Sequence, residues 1–222
     1  MPLLTALLVA GCGLRRDRVV GVEGPPAITG VVQRGGASVP GEWVKLYDDQ
    51  SGALADSSLT NSSGGYSIPA PGAGPWMVKV SSDLPGDLGY VRFLFTTSGG
   101  SDAVQVPPLD LAAHGFAIAQ PTDSAAVAQP NIIAPLHFSW SEYQGTYKWA
   151  SARVTDSLGV VVWASAQGKG VSADWNGVGN SDPPYLGNLV PPGRYFWRVK
   201  LHLPNSVQAA SRQRQFVIGA SL

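Results

Sequence analysis

Short apolar runs that alternate with polar residues, each cut off by a glycine- or proline-rich turn, constrain this chain more than anything else in it. Ile28, Gly30 and Val32 alternate with Thr29, Val31 and Gln33, and Val44 and Leu46 share one face of the run 42–48. Trp76, Val78 and Val80 alternate with Met77 and Lys79, and Val91, Phe93 and Phe95 with Tyr90, Arg92 and Leu94. Leu136, Phe138 and Trp140, then Tyr195, Trp197 and Val199, repeat the pattern further along. A period of two sends one side of a run into a core and the other into water, so these runs are predicted to be half-buried strands. Turns such as Gly35-Gly36, 48–52, Ser63-Gly64-Gly65 and Ser98-Gly99-Gly100 separate them, drawn from 27 Gly and 18 Pro. A chain of 222 residues suits two modules of about 90–110 residues each. The expected fold is therefore all-β, with two tandem β-sandwiches.

Charge and motifs narrow the function. Lys plus Arg equals Asp plus Glu, at 15 each, so no net field attracts nucleic acid, which is not an expected partner. No apolar run reaches 18 residues, so no helix is expected to span a membrane. His114, His137 and His202 fall in different runs, without a second His or Cys at metal-ligand spacing. Residues 48–52 have oxygen donors and a glycine but not the spacing of a calcium loop, and a hairpin turn explains them better. No nucleophile elbow, zinc-protease helix or phosphate loop occurs. The chain is expected to be no enzyme and to need neither metal nor cofactor.

Residues 3–10 are apolar and lead into Val9-Ala10-Gly11-Cys12, which contains the chain's one cysteine. This resembles the lipobox of bacterial lipoproteins, where small residues let a signal peptidase reach the backbone. The resemblance implies a signal peptide over 1–11 and a diacylglycerol thioether on Cys12. Acyl chains bury methylenes at ~0.8 kcal/mol each, enough for stable anchoring when two or three are present. Gly13 follows the cysteine; in enteric bacteria an Asp there retains lipoproteins at the inner membrane, so the implied address is the outer membrane. The competing reading is an ordinary hydrophobic leader with an incidental cysteine. Only Met1-Pro2 precedes the run, without Lys or Arg, so the true start is expected upstream. Residues 12–26, with Arg15, Arg16 and Arg18, read as a tether with a reach of roughly 20 Å.

From Ala27 the motifs come in a recognisable order. Ile28-Thr29-Gly30-Val31-Val32 is followed by Val39-Pro40-Gly41, then Val44-Lys45-Leu46-Tyr47-Asp48, then Thr60 through Gly64-Gly65-Tyr66, and finally Pro71-Gly72 before Trp76 to Val80. This resembles the carboxypeptidase regulatory-like domain, a transthyretin-like sandwich, and is assigned to 27–113. The second module, 114–222, carries Phe138-Ser139-Trp140, a hairpin about Asp156 to Gly159, and Pro192-Gly193 before Tyr195 and Trp197. It resembles fibronectin type III-like and immunoglobulin-like sandwiches, and Tyr195 stands where a tyrosine corner would be. Neither resemblance implies catalytic residues.

The aromatic residues are the candidate binding groups. With Val44 and Leu46 facing inward, Trp43 and Tyr47 face outward beside Lys45. Tyr147 and Trp149 precede Arg153 on one side of a strand, opposite Ala150, Ala152 and Val154, while Trp175 and Tyr185 lie in the polar, glycine-rich stretch 168–188. Flat rings stack on sugars or bury at protein interfaces; equally, they can cover a sheet edge or the junction between modules. Arg198, Lys200 and Arg212 form a candidate basic stripe, which a solvated surface explains equally. The expected function is a noncatalytic, lipid-anchored envelope protein that binds or scaffolds another envelope protein. The alternative is a cell-surface carbohydrate-binding module that uses its exposed aromatics.

Overall fold

The computed structural model describes residues 26–99, 103–181 and 183–219. Cys12, the 1–11 leader and all of the tether except Pro26 lie outside the described residues. The first nine strands are β1 (Ala27–Arg34), β2 (Ala37–Ser38), β3 (Trp43–Asp48), β4 (Leu54–Leu59), β5 (Gly65–Pro69), β6 (Gly74–Ser81), β7 (Tyr90–Thr97), β8 (Val104–Gln105) and β9 (Leu109–Asp110). β1 is central to one sheet: β5 and β2 line one edge, and the parallel β8 and β9 the other. The facing sheet runs β4-β3-β6-β7. Ile28, Val32 and Ile68 from the first sheet and Val44, Leu46, Val78 and Val80 from the second are buried in one core. The alternation therefore does what its period requires. Trp76 stays half-buried against that core, and its Nε1 donates to Gly72 O and Thr97 Oγ1, each at 3.1 Å.

The turn before β5 explains its own sequence. Asn61 Oδ1 accepts from the amides of Ser63 and Gly65. Gly64 has φ +74°, and a Cβ there would lie 2.6 Å from Val32 O. Glycine satisfies both the left-handed backbone and the close approach, which leaves Tyr66 pointing into the core.

The second unit comprises β10 (Ile118–Gln120), β11 (Ala125–Val127), β12 (Leu136–Trp140), β13 (Trp149–Thr155), β14 (Val161–Ala164), β15 (Ser172–Trp175), β16 (Gly193–His202), β17 (Val207–Ala210) and β18 (Arg214–Ile218). β10-β12-β15 form one sheet. The other is built on the ten-residue β16, with β13 on one edge and β18 and β17 in succession along the other. Between them lies an aromatic core: Phe138 stands 4.9 Å from Trp197 and 5.4 Å from Trp163, centroid to centroid, and 6.0 Å from Phe216. Tyr195 is the expected corner, its hydroxyl donating to Pro191 O at 2.6 Å. The hairpin about Asp156 also forms, with Asp156 Oδ1 accepting from the amides of Leu158 and Val160. The described residues contain no α-helix, and a 3₁₀ turn at Pro204–Ser206 is the nearest approach to one.

The two sandwiches are not merely strung together. β17 pairs antiparallel with β7, with Val207 opposite Phe93 and Ala210 opposite Tyr90. This seam joins the second sheet of each unit into one ten-stranded sheet. Gly89 N donates to Ala210 O at 2.9 Å beside it. A Cβ on Gly89 would sit 2.7 Å from Ser211 O and 2.9 Å from Arg212 Cα, so the seam needs a residue without a side chain there.

Candidate functional site on the shared sheet

Residues directly opposite one another in a sheet share a face, so the seam carries side-chain rows from one unit into the other. One row reads Val44, Val80, Val91, Ala209, Leu201, Ala150 across β3, β6, β7, β17, β16 and β13. All six are buried, and this is the inner face. The next row, one residue along each strand, reads Lys45, Lys79, Arg92, Gln208, His202, Trp149. It belongs to the outer face. Beside it run Ser81, Tyr90, Ala210, Lys200 and Ser151, and Arg198 stands opposite Arg153.

Six cations thus share one surface: Lys45, Lys79, Arg92, Arg153, Arg198 and Lys200. The ion pairs among the described residues lie elsewhere, joining Arg34 to Asp87 and Glu42, His114 to Asp110, and His137 to Asp174. Neutral partners hold two of the six: Arg92 donates to Gln208 Oε1 through Nη2 at 2.8 Å, and Arg198 to Gln213. Tyr90 lies beneath three of the six, with Lys79 Nζ 4.9 Å from its ring centroid, Arg198 5.8 Å and Arg92 6.0 Å. The ring face attracts cations, which helps gather like charges that would otherwise spread. Burial, aided by Arg198, Arg92 and Lys45, holds the Lys79 amine below its ordinary value. Burial, with Arg153, Arg92 and Arg198, pushes Lys200 down to about 8. Two polar atoms of this face, Arg153 Nε and His202 Nδ1, are buried with no hydrogen-bond partner among the described residues. Two carboxylates border the surface: Glu42 beside Trp43, and Asp83 in a groove of about 370 Å³ lined also by Tyr90, Arg198 and Arg212.

Three of the six candidate aromatics come together on this face although they belong to different units. Trp43 is 53% exposed, and Tyr47 is half-buried beside Lys45 and Lys79. Trp149, at the far end of the cation row, stacks on His202 with centroids 5.0 Å apart. The other three do not join them. Trp175 is fully buried, packed against Phe138, Trp163, Tyr195 and Phe216, and its Nε1 donates to Val178 O at 2.9 Å. It is a core residue and not a binding aromatic, because β15 pairs with β12 and turns Trp175 inward opposite Leu136. Tyr147 is also buried, edge-on to Tyr143 and beneath Lys169. Tyr185 is half-buried, its hydroxyl donating to Asp156 Oδ2 at 2.9 Å.

Of the candidate stripe, Arg198 and Lys200 lie on the face and Arg212 on the rim of its groove. Lys79, Arg92 and Tyr90 join the surface beyond the sequence candidates, each from the outward slot of an alternating run. Among the described residues no group of three or more His, Cys, Asp and Glu side chains could hold a metal ion.

No protein-family model matches the chain, and no curated protein matches it. The resemblance of residues 27–112 to the carboxypeptidase regulatory-like domain thus rests on motif order. Several solved structures match loosely. CopC from Methylosinus trichosporium OB3b is 13% identical over 48% of this chain and 96% of its own, with a TM-score of 0.32. BcpA, the major pilin subunit of Bacillus cereus, is 10% identical over 88% of this chain and 69% of its own, with a TM-score of 0.31. The fibronectin(III)-like modules of CbhA from Clostridium thermocellum are 15% identical over 82% of this chain and 79% of their own, with a TM-score of 0.29.

Proposed function

We propose that this chain is a noncatalytic binding module of a bacterial envelope, anchored through lipidated Cys12, whose working surface is the outer face of the shared sheet. The observation that carries the reading is the gathering, on one face of a chain with no net charge, of six cations that have no carboxylate partner among the described residues. Holding like charges together costs free energy unless something compensates them. A binding partner supplies that compensation, and flat rings at both ends of the row add apolar contact area.

The surface is tested by immobilising the chain and passing solubilised envelope over it. The chain should retain an envelope component, and the variant Lys79→Glu/Arg198→Glu should lose it. A control, Thr29→Ala on the opposite sheet, should keep it. Equal retention by all three overturns the assignment. The anchor is tested separately: Cys12→Ser should abolish labelling by a palmitate analogue and release the chain from the membrane fraction. Continued acylation and membrane retention would remove the anchor from the proposal. Outer-membrane placement is expected of the wild-type chain on sucrose-gradient separation of the two membranes.

A further inference from the structure

We infer that the outer face of the shared sheet binds a linear acidic polysaccharide, a chain of carboxylate-bearing sugars that lies across the strands from Trp43 towards Trp149. This rests on the reading of that face as the working surface and adds the class of ligand.

The cations are arranged in rows and not scattered. Lys45, Lys79 and Arg92 occupy consecutive strands, which lie ~4.8 Å apart. Beyond Gln208 the row reaches His202 and Trp149, and Lys200, Arg198 and Arg153 stand alongside. A polymer with regularly repeated carboxylates matches a regular row of cations.

The rings choose among the polyanions. Trp43 and Trp149 stand about five strand spacings apart, roughly 24 Å, at opposite ends of the row. Flat indole faces suit the apolar face of a sugar ring, so an acidic glycan uses both cations and rings. An acidic peptide satisfies the cations, but only a glycan presents an apolar ring face on every repeating unit beside its carboxylates. An anionic membrane is met by long exposed basic stems and inserted apolar residues; here Lys79, Arg92, Arg198 and Lys200 are half-buried and three of them fold over Tyr90.

The test uses the purified full chain in detergent at low salt, titrated with polygalacturonate and followed by calorimetry. Binding is expected, and raising the salt should weaken it. Lys79→Gln should weaken it by about tenfold or more. Lys45→Gln alters an exposed side chain and guards against misfolding as the cause; it should weaken binding severalfold, as should Trp43→Ala. Fully methyl-esterified polygalacturonate, polyglutamate and phosphatidylglycerol vesicles should each bind more weakly than polygalacturonate. Polyglutamate binding as tightly, with Trp43→Ala neutral, overturns the inference in favour of an acidic protein. Equal capture by vesicles overturns it in favour of a membrane surface. If polygalacturonate fails to bind while the Lys79→Glu/Arg198→Glu variant still loses the envelope component, the polysaccharide is wrong and the surface stands. If that variant loses nothing either, both readings fall.

Discussion

The two sandwiches fill their cores with different side chains. The first packs the aliphatic Ile28, Val32, Val44, Leu46, Ile68, Val78 and Val80, with Tyr66 as its buried ring. The second is built on Phe138, Trp163, Trp175, Trp197, Tyr195 and Phe216. In the first, Trp43 is left on the surface because the inward slots are already aliphatic. In the second, the core itself consumes the rings, so an aromatic residue there says little about exposure. The candidates from the first unit therefore stayed accessible, while Trp175 and Tyr147 did not.

The most damaging way to break this contrast is Trp175→Ala. Removing a fully buried ring from the aromatic cluster should cost about 3–5 kcal/mol, read by chemical denaturation. The joint between the units comes next. Gly89→Ala places a methyl against the Ser211 backbone and should cost about 1–3 kcal/mol. Hydrogen exchange should show protection lost at Tyr90–Phe93, with the amides of β12 and β1 unchanged.

Lys200→Met should instead stabilise the chain at neutral pH. Arg92 and Tyr90 on β7, Arg198 and His202 on β16 and Arg153 on β13 face this amine or its row, with burial the largest cause of its depression. A folded value of about 8, below the unfolded value of about 10.4, means that the unfolded chain holds the proton longer. Wild-type stability from this group therefore rises between those pH values. The advantage of the Met variant should shrink over the same window, read as the difference in Tm against pH. Tyr195→Phe removes the bond to Pro191 O and should cost about 1 kcal/mol. Trp43→Ala is the mildest and should change stability by no more than about 0.5 kcal/mol, because its ring supports nothing in the first core. A large loss of stability would mean that Trp43 serves the fold.

Much of the fold was legible before folding was considered. Ile28 and Val32, Val44 and Leu46, and Val78 and Val80 announced their burial by parity. The Asn61 to Tyr66 turn and the Tyr195 corner were legible because each depends on residues within a few positions of one another. Trp175 was misread because it sits among glycines and polar residues, and its burial follows from pairing with β12, whose partner residues lie far along the chain. The site was legible in fragments: Trp43, Tyr47, Trp149, Arg198 and Lys200 each stood in an outward slot, with nothing local to say that the slots lined one surface.

Alternation settled which side of each strand meets water, since the pleat points successive side chains to opposite faces whatever the strand's neighbours. Which outward sides join was settled by the seam between β7 and β17. That pairing is made of backbone amides and carbonyls more than a hundred residues apart, groups that nearly every residue carries alike. The chain thus spells out its cations and rings strand by strand, and the tertiary fold lines them up into a single face.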